Sequence, residues 1–101
     1  MDLKPGSRWK SAVCSAECVV VRPPKSAGVL GCGGAPVVAL DGTASGGTVD
    51  PAFAGGVLIG KRYVDETSGI EVLGTKHGQG SLSFDGRALA LKEAKPLPAS
   101  D

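Results

Sequence analysis

The sequence predicts an all-β fold, and three observations carry that prediction. Gly or Pro interrupts almost every window long enough for three helical turns; Val, Ile, Thr and Tyr fall in brief runs between turn residues; and Asp85-Gly86 separates two segments of alternating apolar character. The architecture expected is a small curled antiparallel barrel or a two-sheet sandwich of about seven or eight short strands. Residues 1–92 read as a single domain, with a long Gly-rich loop at 41–56 and an extended, Pro-containing tail at 93–101.

In chain order, Pro5-Gly6 is a turn, and residues 8–13 and 18–22 are strand candidates, the second stopped by Pro23-Pro24. Residues 11–18 are the one window where helix and strand readings compete. Cys18-Val19-Val20-Val21 shows no alternation, as expected of a strand covered on both faces. Residues 29–32 and 35–40 form a hairpin around Gly33-Gly34, and Pro36, having no amide hydrogen, places the second strand at an edge. The stretch 41–56 holds five glycines and one large apolar side chain, Phe53. Residues 57–64, 70–76, 81–84 and 87–91 read as a four-stranded antiparallel meander. Its firmest part is the Asp85-Gly86 hairpin, because those residues supply the positive φ angles of a type I′ turn. That register puts Leu82, Phe84, Leu89 and Leu91 on one face.

Composition narrows the function. A chain of 101 residues with a net charge of +1 and one histidine has few ways to build a buried catalytic site. Gly31-Cys32-Gly33-Gly34 and His77-Gly78-Gln79-Gly80 lack the Lys-Ser or Lys-Thr and the helix that let a glycine loop hold phosphate. No Gly-x-Ser-x-Gly elbow is present, and the adjacent acids Asp65-Glu66 read as solvated turn formers. The start of the chain lacks a basic segment followed by an apolar run, so a cytoplasmic protein with reduced thiols and no membrane contact is expected.

Three functional readings follow. The first is a non-catalytic binding or assembly module that engages a protein, itself or another chain, through strand edges and the 41–56 loop. Val49, Pro51 and Phe53 are its contact residues, with the aromatic ring as anchor; the plainer alternative is a surface loop without a partner. The second is a zinc or iron site, or a thiol-redox function, built on Cys14, Cys18, Cys32 and His77. On a straight strand Cys14 and Cys18 would lie about 13 Å apart, so this requires a turn between them. The plainer alternative makes the cysteines small core residues. The third is single-stranded nucleic-acid binding by Arg8, Trp9 and Lys10 with Lys61, Arg62 and Tyr63, two places where an aromatic ring neighbours cations. Its alternative places both rings in or beside the core, with the cationic stems passing over them.

Overall fold

The computed structural model describes residues 1–44 and 46–92; the tail expected at 93–101 lies outside the described residues. The strands are β1 (Arg8–Lys10), β2 (Glu17–Arg22), β3 (Leu30–Cys32), β4 (Ala35–Pro36), β5 (Val38–Ala39), β6 (Arg62–Val64), β7 (Glu71–Lys76), β8 (Leu82–Phe84), β9 (Arg87–Ala88) and β10 (Ala90–Lys92), with one 3₁₀ turn at Pro51–Phe53. They form two antiparallel sheets, ordered β10-β6-β7-β2-β1-β5 and β4-β3-β8-β9. No α-helix occurs among the described residues.

The all-β class is therefore observed, and the barrel is not. Both sheets are open, with β10 and β5 at the edges of the larger and β4 and β9 at the edges of the smaller. The chain changes sheet through single buried residues. Val37 separates β4 from β5 and donates its amide to the Leu30 carbonyl at 3.0 Å, while Leu89 separates β9 from β10 and donates to Leu82 at 2.9 Å. These corners end one ladder and begin another, so neither sheet extends far enough to close.

The C-terminal meander is corrected for the same reason. β6 pairs with β7 and β8 with β9, but β7 takes β2 as its other neighbour and β8 takes β3. The apolar run in β2 needs a partner on each side, and β1 and β7 provide them. Only one face of β2 is fully covered: Cys18 and Val20 are buried, whereas Val21 is exposed. Residues 11–16 form neither helix nor strand but a bend ahead of β2.

Both hairpins in the small sheet follow their turn residues. Asp85 and Gly86 have φ of 50° and 81°, the type I′ combination, and pair Phe84 with Arg87 and Ser83 with Ala88. Gly33 and Gly34, at φ 67° and 88°, join β3 to β4 and leave Pro36 on an edge strand. Leu82, Phe84 and Leu89 are buried as the alternation requires, but Leu91 has crossed to the large sheet opposite Tyr63 and is 42% exposed.

One apolar cluster joins the sheets. Cys18, Val20, Tyr63 and Val72 enter it from the large sheet, Leu30, Cys32, Leu82 and Phe84 from the small one, with Val57 and Ile70 from connections. Phe84 is fully buried; a side chain of that size contributes roughly 1.5–3 kcal/mol by leaving water.

Candidate functional site

The strand pair β2 and β7 has two ends, and each gathers polar or reactive groups. At one end Glu17 faces Lys76; at the other Arg22 faces Glu71.

Three cysteines collect at the first end. The Ser11 hydroxyl accepts hydrogen bonds from the amides of Val13 at 3.1 Å and Cys14 at 3.0 Å, which coils residues 11–16 into a tight bend and carries Cys14 towards β3. Glycines let three backbone segments meet there. A Cβ on Gly33 would fall 2.7 Å from the Val13 side chain, one on Gly78 only 2.4 Å from the Ala16 nitrogen, and one on Gly80 2.7 Å from the Gly33 α-carbon. The buried Cys32 thiol donates to the Gly80 carbonyl at 3.5 Å and lies beside Cys14.

The thiols differ in chemistry. Burial opposes ionisation of Cys14, but the side chain of Ser11, the backbone of Ala16 and Gly80 and the thiol of Cys32 outweigh it and hold Cys14 below its ordinary value. Burial pushes Cys18 up to about 12, and pushes Cys32 to about 12 as well, with the neighbouring Cys14 adding to the rise. Cys14 is half-buried; the other two are inside. His77 is exposed, and it reaches this end only through its carbonyl, which accepts from the Ser15 hydroxyl at 2.9 Å. Among the described residues no group of three or more Cys, His, Asp or Glu is arranged to hold a metal ion. The two adjacent thiols, Cys14 and Cys32, fall short of the four ligands that tetrahedral zinc takes.

The 41–56 segment is fastened to the small sheet. Asp50 donates its amide to the Gly33 carbonyl at 2.9 Å and caps the Pro51–Phe53 turn by accepting from the Ala52 amide at 2.9 Å. The Phe53 carbonyl accepts from the Ser81 amide at 2.7 Å, and the Gly55 amide donates to the Ser81 hydroxyl at 2.6 Å. Phe53, half-buried, lines a cleft of about 220 Å³ together with Val29, Gly31, Ala35, Pro36 and Ser83. Val49 is half-buried and packs towards Gly33, while Pro51 is exposed. The apolar edge read at residues 35–40 is divided: β4 borders the small sheet and β5 the large one, with two residues each.

Arg8, Trp9 and Lys10 lie on β1, and Lys61 precedes Arg62 and Tyr63 of β6, with β2 and β7 between the two strands. Trp9 packs against the core and donates its indole N–H to the Ser7 hydroxyl at 3.0 Å. Tyr63 is buried and accepts the Leu58 amide at 2.9 Å. Both rings are thus turned towards the core, and Arg62 is paired with Glu71 at 3.2 Å.

The second end holds charges that were legible only in part. Asp65, expected as a solvated turn former, is 7% exposed. Its carboxylate accepts from Arg87 at 2.9 Å and from the Ser68 amide and hydroxyl at 3.1 and 2.7 Å. The Arg87 hydrogen bond is the main reason its pKa is held at about 2. Glu71 is also buried, and hydrogen bonding from Lys92, then from Arg62, lowers its pKa against the effect of burial. The signal available for Asp65 was the spacing Asp65-x-x-Ser68-Gly69, in which a side chain caps its own turn. Its pairing with Arg87, on the far hairpin, has no local signature.

No protein-family model, curated protein or solved structure matches this chain.

Proposed function

We propose that this protein is a non-catalytic binding module that takes an apolar segment of a protein partner in the cleft beside Phe53. The observation that supports this reading is the meeting of two features in one place. The 41–56 segment supplies an aromatic wall, and the β3/β4 hairpin supplies a floor of Gly31, Ala35 and Pro36 next to an edge strand. Small floor residues allow close approach of another backbone, and a half-buried aromatic gains contact area on docking with little further loss of side-chain freedom. The hydrogen bonds that hold residues 50–55 to Gly33 and Ser81 preorganise the wall, which lowers the entropic cost of binding.

The test is site-specific photo-crosslinking in cells of origin, with a benzophenone amino acid in place of Phe53 and, as control, in place of Lys76 at the far strand end. A discrete adduct from position 53 alone, lost when Ala35→Leu crowds the cleft in a variant that still folds, is the expected outcome. Identical adducts from both positions, or none from position 53, would refute the reading. The mass of the adduct separates self-association from a different partner.

A further inference from the structure

We propose that Cys14 and Cys32 form a reversible oxidation site, in which Cys14 reacts with a small hydroperoxide and Cys32 converts the product to a disulfide. The argument rests on placement. Cys14 sits half-buried on a bend outside the strands and packs against the core cluster that holds Cys32, at the place where Val13 meets Gly33 and Gly80 meets Cys32. The Ser11 hydroxyl accepts the Cys14 amide at 3.0 Å, and polar groups of Ser11, Ala16 and Gly80 hold the thiol below its ordinary value. Such polar surroundings favour the thiolate, the form that attacks a peroxide. Cys18 is buried with no such company, and desolvation keeps it protonated.

The chemistry balances in two steps. The Cys14 thiolate attacks one peroxide oxygen, an S–O bond forms, the O–O bond breaks, and the departing hydroxide or alkoxide takes a proton. Sulfur loses two electrons and the peroxide gains them. The Cys32 sulfur then attacks the sulfenic sulfur of Cys14: an S–S bond forms, the S–O bond breaks, and the leaving hydroxide takes the Cys32 proton to become water. That proton is held in the reduced state by the Gly80 carbonyl at 3.5 Å. A dithiol reductant returns both thiols by thiol–disulfide exchange and is itself oxidised to a disulfide. The resulting crosslink would tie the bend at residues 11–16 to β3 and shrink the unfolded ensemble, so thermal unfolding should shift upwards.

The experiment uses the reduced full-length chain, hydrogen peroxide and alkylation of residual thiols. Peptides are then mapped after cleavage at Lys, Arg and Glu, since Glu17 separates Cys14 from Cys18. Expected are the loss of two of the three alkylatable thiols, a linked Cys14/Cys32 peptide, a higher unfolding temperature, and return of all three thiols with dithiothreitol. Cys14→Ser, on the bend and outside the core, should fold and slow thiol loss by about tenfold or more. Cys18→Ala should leave the linked peptide intact. Oxidation of Cys14 that stops at sulfinic acid, a link to Cys18, a link between chains, or unchanged kinetics in Cys14→Ser would each overturn the proposal.

Discussion

The two ends of the β2/β7 pair are held by opposite means. At the Arg22/Glu71 end, charged side chains reach across from separate elements: Arg87 to Asp65, and Arg62 and Lys92 to Glu71. At the Glu17/Lys76 end one long, largely exposed ion pair joins Lys76 to Glu17 at 3.9 Å, and beneath it Gly33, Gly78 and Gly80 let backbones touch around the thiols. The first end is fastened by buried carboxylates; the second chiefly by close backbone contact, its ion pair being long and exposed. Stability should therefore respond to acid at one end and to added volume or oxidation at the other.

The largest effect is expected at the glycine end. Gly80→Ala would set a methyl group 2.7 Å from the Gly33 α-carbon and 2.8 Å from its nitrogen. Those are backbone atoms fixed by the β3/β4 turn and by the amide of Gly33 donating to Ser81 at 2.9 Å. No rotamer relieves the overlap, so a loss of about 3 kcal/mol is expected. Urea unfolding followed by Trp9 fluorescence measures it. A loss below about 1 kcal/mol would mean that this end yields, and that contact between backbones is not what fastens it.

Next in size is the charged end. Asp65→Asn keeps the shape but weakens the hydrogen bonds from Arg87 and Ser68, and should cost about 1–2 kcal/mol at neutral pH. The sign of its pH dependence follows from the depressed carboxyl. The Asp65 contribution is fully present above the ordinary value of 3.8 and is lost as pH falls through about 2. Unfolding curves taken down this range should show wild type losing more stability than Asp65→Asn. Parallel acid limbs would show that Asp65 is not the group responsible, and would remove the contrast between the ends.

What the sequence disclosed follows the same division. Turns written in adjacent residues were readable: Asp85-Gly86 and Gly33-Gly34 set their hairpins, and Pro36 set an edge. Pairings between distant segments were not. β7 finds β2 and β8 finds β3 because the core demands it; Leu89 turns its corner between two alanines, and Pro36 before Val37 marks a strand edge but not a change of sheet. The candidate residues divide likewise. Cys14, Cys18, Cys32 and His77 are candidate ligands by residue type alone, and nothing local points to Ser11 or Gly80, whose relation to the thiols exists only after the sheets meet. Phe53 stands out in the sequence as the lone aromatic in its loop, while the cleft it walls belongs to a hairpin elsewhere in the chain.

The smallest single effects should come from Glu71, because it has two partners. Lys92 reaches one carboxylate oxygen at 3.0 Å and Arg62 the other at 3.2 Å, and both cations remain about half exposed. Removing either one leaves a charge partner in place, so Arg62→Gln or Lys92→Gln alone should cost no more than about 1 kcal/mol. Removing both leaves a buried carboxylate without either of its hydrogen-bonded cations, and the double variant should lose more than the sum of the single ones. It should also raise the Glu71 carboxyl, and so move the acid unfolding limb to higher pH than in either single variant. Additive losses in a double-mutant cycle would show that each ion pair acts alone. The charged end would then be a set of independent ion pairs around a buried carboxylate, with no network joining them.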